Sequence, residues 1–154
     1  MEICVTRFNN QTYLENKNFR EKNNINCVYS TPVKISDNIL PDQEVIILEM
    51  NNTNNSIEGI GIIKNKLFLK EKYKIYSDRN YNRYIYKSNY RIDKKELEPY
   101  EFIIINELEE LIFKSHRHCK RGQGIQVLPK HIKNNKKLNY YKILNHYIRF
   151  RFNK

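Results

Sequence analysis

The 154-residue chain is predicted to fold as one α+β domain, a mostly antiparallel, curved sheet or small β-barrel with flanking helices. Three observations lead there. Residues 27–91 hold short apolar runs separated by turn chemistry, the pattern of strands. Residues 93–115 hold the best helical periodicity in the chain. No internal repeat is visible, and the length suits a single core rather than several domains.

Residues 1–26 are polar and Asn-rich, with a short strand expected at Cys4-Val5-Thr6 and a weak helix capped by Thr12, running through Tyr13, Leu14 and Phe19. In the β core, Val28, Ser30 and Thr31-Pro32-Val33-Lys34-Ile35 predict a first strand, bent or at an edge because proline cannot donate to a ladder. Leu40-Pro41-Asp42 is a turn. It launches Glu44 to Met50 as a buried strand, and after the polar cluster Asn51 to Ser56 the chain returns as Ile57-Glu58-Gly59-Ile60-Gly61-Ile62-Ile63. Gly59 and Gly61 mark a bulge or a close approach, by other backbone or by a ligand in a pocket. A further pair is expected over Lys72–Tyr76 and Arg83–Arg91, turning near Asp78-Arg79-Asn80.

The helix has two competing starts. Asp93 and Glu96 have capping-box spacing, whereas Pro99 suits a first helical position, and the later start is preferred. Ile104, Ile105, Leu108, Leu111 and Ile112 form its apolar face, with an end near Lys114 to His116. A basic portion, 116–154, follows. Its last segment has helical spacing at Leu138, Tyr141, Leu144 and Ile148, yet Ile148-Arg149-Phe150-Arg151-Phe152 alternates, so a final strand from about Tyr147 to Phe152 is preferred.

Charge is the most asymmetric property. Of 28 Lys and Arg, 12 lie between Leu111 and Lys154 with no acid among them, while the first 110 residues hold the other 16 and all 17 acids. A neutral body with a basic surface points to a polyanionic partner. No pure apolar run is longer than Phe102 to Ile105, far below the ~20 residues that span a bilayer, so no membrane partner is expected. Met1-Glu2-Ile3-Cys4 lacks the features of a secretory leader, and three unpaired-looking cysteines fit a reducing cytoplasmic or nuclear setting. Abundant Asn, Lys, Ile and Tyr with no Ala or Trp is the residue set of AT-rich codons, as in AT-rich protists, their parasites and their large DNA viruses.

Two motifs carry candidate chemistry. Tyr73, Tyr76, Tyr81, Tyr84, Tyr86 and Tyr90 are interleaved with Lys72, Lys74, Arg79, Arg83, Lys87 and Arg91. Tyrosine stacks on bases and the cations neutralise phosphates, although tyrosine serves a sheet core equally well. Lys120-Arg121-Gly122-Gln123-Gly124 is a basic glycine loop able to approach a phosphate, with Lys130, Lys133, Lys136 and Lys137 downstream; its bland counterpart is a solvated turn. His116, His118, Cys119 and His131 lack the paired spacing of zinc ligands, and Cys119 has no orienting group, so no metal, cofactor or catalytic residue is assigned.

The stretch Cys27 to Ile63, with Pro41-Asp42-Gln43-Glu44-Val45 turning into one strand and Ile57-Glu58-Gly59-Ile60-Gly61 following, resembles the PUA-like superfamily of PUA, ASCH, EVE and YTH domains. That resemblance implies a small curved barrel, RNA or modified-base binding, and a surface pocket bordered by Gly59 and Gly61. It covers about a quarter of the chain. The absence of Trp removes the aromatic cage of YTH readers, and the glycine-lysine-glutamate motif of ASCH domains is missing. The segment Leu111 to Pro129 is similar to sequences from large DNA viruses. The expected function is nucleic-acid binding, RNA ahead of DNA. The alternatives are an interaction subunit of a translation, ribosome-associated or virion assembly, or a nucleic-acid-modifying enzyme using His116, His118 or Cys119.

Overall fold

In the computed structural model, which describes residues 1–154, the two most apolar runs of the sequence become neighbouring antiparallel strands, β3 (Glu44–Asn51) and β4 (Ser56–Lys64). Both are covered on two faces, which is why they read as continuous apolar runs rather than alternating ones. Ile46, Leu48, Met50, Ile60 and Ile62 belong to one cluster, and Val45, Ile47 and Ile63 to another on the opposite face.

The first 26 residues hold the expected short strand and helix, but the strand is longer than expected and lies inside the sheet. Glu2–Phe8 is a strand, β1, at the heart of the sheet, pairing in parallel with β3 from Glu2↔Val45 to Phe8↔Asn51. Parallel strands need a long crossover, here supplied by α1 (Asn10–Asn23) and β2 (Cys27–Thr31). The α1 cap is Asn9, whose side chain accepts from the Thr12 amide while the Thr12 hydroxyl accepts from the Asn9 amide; Thr12 is therefore the partner of the cap. The helix is polar and is tied down chiefly by Asn16, whose Nδ2 donates to the Val28 carbonyl and the Tyr76 hydroxyl.

The expected hairpin over 72–91 is split. Lys72–Tyr76 forms no strand, and a 3-10 turn follows at Arg79–Asn82, capped by Asp78. β5 (Tyr84–Ser88) pairs with β2, and β6 (Tyr90–Asp93) pairs with β4. β2 itself ends at Thr31, before Pro32. Both helix-start signals are used: Asp93 and Glu96 box a 3-10 turn at Lys94–Glu96, and α2 (Pro99–Glu109) begins at the proline, continuing as a wider turn through Lys114. Ile105, Leu108 and Ile112 are buried, as the periodicity predicts.

After β7 (Gln126–Val127) and the short α3 (Lys130–Lys133), the chain ends in a helix, α4 (Tyr140–Phe152), not a strand. Leu144, Tyr147 and Ile148 pack toward the α2 side of the sheet, whereas Phe150 is exposed; the alternation of 148–152 is incidental to the 3.6-residue period that wins. The final architecture is an open five-stranded sheet, β6-β4-β3-β1-β7, with α2 and α4 on one face and the two-stranded β2-β5 sheet on the other. It is α+β and mostly antiparallel, but the sheets do not close into a barrel.

Gly59 and Gly61 are sites of close approach, and the protein's own side chains make that approach. A Cβ on Gly61 would lie 2.2 Å from the Tyr29 hydroxyl oxygen, and one on Gly59 would lie 2.5 Å from Arg91 Nη2. The two glycines therefore roof a buried network instead of bordering a pocket. Gly61→Ala is expected to cost about 1–3 kcal/mol through overpacking, read as a lower urea midpoint at unchanged slope.

Candidate nucleic-acid interface

β1 and β3 run in parallel, so their carboxyl ends, Phe8 and Asn51, lie side by side. The chain leaves β1 directly into the N-terminus of α1, and the Lys120–Gly124 loop enters the sheet edge through β7, which pairs with Cys4 and Val5. A polar cleft of about 410 Å³ opens here. Its walls include Arg7, Ser30, Asn52, Tyr81, Lys120, Gly122 and Gly124, with the Glu15 and Asp78 carboxylates also on the lining.

Two side chains hold the loop against the strand ends. Arg7 Nε donates to the Cys119 carbonyl at 2.7 Å, and Asn52 Nδ2 donates to the Lys120 carbonyl at 2.9 Å. Gly122 and Gly124 adopt φ of +119° and +70°, values that side-chain-bearing residues rarely take. Past this anchor, the amides of Arg121, Gly122, Gln123 and Gly124 make no hydrogen bond within the protein. Successive free amides beside Lys and Arg form a concavity suited to anions. Burial draws the Arg7 guanidinium below its ordinary pKa, and nearby Cys119 partly offsets this.

From this cleft, β7 carries the chain along β1 toward its amino end, where the Leu128 amide donates to the Ile3 carbonyl and α3 follows. Lys130, Lys136 and Lys137 are exposed beyond that point. Lys133 differs. It is buried and paired with Glu2 at 2.7 Å, and is a structural tie between α3 and β1, not a surface cation.

The tyrosines divide in the same way. Tyr81 is 38% exposed on the cleft wall, edge-on to Tyr76. Tyr84 is half-buried, with Arg83 and Lys34 over its ring, and Arg79 and Arg83 are exposed. Tyr86 is buried, and its hydroxyl accepts from the Ile35 amide, so it is core and offers no stacking surface. Tyr90 lies near the opposite end of the sheet, against Phe152 and under Lys154. Of the residues on this cleft, Lys120, Gly122, Gly124 and Tyr81 are among those singled out from the sequence, whereas Arg7, Ser30 and Asn52 are not. A lone arginine inside the apolar strand Ile3 to Phe8 is the available signal.

The thiols are poorly disposed for nucleophilic chemistry. Burial pushes Cys4 up to about 12 and Cys27 up to about 11, and it also raises Cys119, against which Arg7 pulls only partly. His116 and His118 are exposed, and no three His, Cys, Asp or Glu side chains gather as a metal would require. No helix is long and apolar enough to cross a membrane. No protein-family model, curated protein or solved structure matches this chain.

Proposed function

We propose that the protein binds nucleic acid, RNA ahead of DNA, with the backbone following the β7 edge from the cleft toward Lys130, Lys136 and Lys137. The observation that carries this reading is the meeting of the Lys120–Gly124 loop, Arg7 and Tyr81 in one polar cleft, at the start of a segment with 12 basic residues and no acid. The loop amides and cations suit phosphates, and an exposed tyrosine suits an unpaired base, which RNA presents in loops and ends. The likeness of Cys27 to Ile63 to PUA-like domains supports the same reading, and the curved PUA-like sheet is part of the proposal.

Salt is the direct test. Five surface cations, Lys120, Arg121, Lys130, Lys136 and Lys137, give an expected log–log slope of about −3.5 on single-stranded RNA, or roughly a hundredfold loss of affinity between 50 and 200 mM salt. A slope near zero in fluorescence anisotropy would remove the assignment.

One observation favours a second reading, an interaction subunit of a larger assembly. α2 and α4 leave an apolar groove of about 570 Å³, lined by residues such as Ile104, Ile143 and Phe150, the last 76% exposed. Exposed apolar surface of this kind marks protein contacts. Co-purification of a stoichiometric protein partner, lost in Phe150→Glu, would favour it.

A further inference from the structure

Five buried side-chain atoms in the molecule have no hydrogen-bond partner, and three of them, Arg7 Nη1, Ser30 Oγ and Asn52 Oδ1, belong to residues lining the polar cleft. Buried polar groups are normally satisfied, so three orphans in one place call for a cause. The geometry supplies one. Arg7 and Asn52 each spend one end on the Cys119–Lys120 carbonyls and keep the other end free. Ser30 is 6% exposed, yet its hydroxyl bonds to nothing in the protein. Donors at Arg7, Ser30 and the free loop amides lie on the same cleft as acceptors at Asn52, Glu15 and Asp78.

We propose that this cleft binds a single nucleotide through its phosphomonoester. The phosphate is held by Arg7, Ser30, Lys120 and the loop amides. The carbonyl of Asn52 and the carboxylates accept from sugar hydroxyls or base amino groups, with Tyr81 flanking the base. Two facts separate this from the strand-tracking contact. A volume of about 410 Å³ lies near the lower end of small-ligand sites, about 300–1,000 Å³, and suits one nucleotide, not a continuous strand. The lining as a whole is neutral, Arg7 and Lys120 against Glu15 and Asp78, which disfavours a run of internal diesters and leaves the two cations and the loop amides for one terminal phosphate. The inference deepens the nucleic-acid reading and rests on it for the ligand's source: the phosphorylated terminus of a bound strand, with a free nucleotide offering the same chemistry.

The experiment compares one ten-nucleotide RNA carrying a 5′-phosphate, a 3′-phosphate or only hydroxyl ends by fluorescence anisotropy, alongside the four ribonucleoside monophosphates by calorimetry. Wild type, Ser30→Ala and Lys120→Gln are each measured. One phosphorylated end is expected to bind at least about tenfold more tightly than the hydroxyl-ended strand, and both variants should lose that preference. Ser30→Ala should keep or raise the melting temperature, because its hydroxyl has no partner to lose, so a binding defect cannot be ascribed to unfolding. Monophosphate binding with no RNA binding would keep the cleft and overturn the nucleic-acid reading. Equal affinity for all three strands with no monophosphate binding at millimolar concentration would overturn the cleft proposal and leave backbone binding standing. No binding of any ligand would overturn both.

Discussion

Replacing Glu49 with alanine is expected to destabilise the fold by about 3–5 kcal/mol, a large share of the roughly 5–15 kcal/mol that a domain ordinarily has. Glu49 is 2% exposed and accepts three hydrogen bonds: from Arg91 Nη2 at 2.7 Å, Arg91 Nε at 2.8 Å and the Tyr29 hydroxyl at 2.7 Å. Burial works against the Arg91 charge, but the adjacent carboxylate overrides it and raises the guanidinium pKa. Burial, with Cys27 and Glu49 nearby, keeps the Tyr29 phenol protonated and donating. Removing the carboxylate leaves a cation inside the protein with only Asp93, at 3.3 Å, as a charged partner. Urea denaturation measures the effect, and Glu49→Gln, which keeps an acceptor and the shape, should lose less. A cost below about 1 kcal/mol for alanine would mean that water reaches Arg91 and the network is not internal.

Neutralising Lys120, Arg121, Lys130, Lys136 and Lys137 together to glutamine is expected to weaken single-stranded RNA binding by about three-thousandfold at 0.1 M salt. Each phosphate contact contributes about fivefold there, and the salt slope should flatten toward zero. The melting temperature should change little, because four of the five are exposed and none makes an ion pair within the protein. Lys133→Gln is the informative control. It breaks the pair with Glu2, so stability should fall while the salt slope stays as in the wild type. The reverse pattern would place the partner elsewhere on the surface.

Elements whose pattern is local are legible in the residues themselves. The β3–β4 pair follows from two apolar runs around an Asn-rich turn, and α2 follows from a 3.6-residue stripe behind Pro99. The first strand is less legible because Glu2–Phe8 is short and contains an arginine, and its worth comes from pairing with Val45 to Asn51, more than 40 residues away. The α4 segment reads as a strand because alternating Phe and Arg over five residues fits both periods, and only packing on α2 and the sheet selects the helix. The glycine signal is correct as to close approach and silent as to what approaches; only the fold brings Tyr29 and Arg91 there.

The sequence alone determined the α+β class, the position of the best helix and the concentration of positive charge after residue 110, since composition and short-range periodicity record these directly. The tertiary structure decided where that charge meets the rest of the chain. Parallel pairing of β1 with β3 sets Arg7 beside Asn52, and the β7 edge delivers Lys120 to Gly124 onto both. A cleft assembled from residues 7, 30, 52, 81 and 120 is a product of strand order, and strand order is set by burial summed over the whole chain, not by any one segment of it.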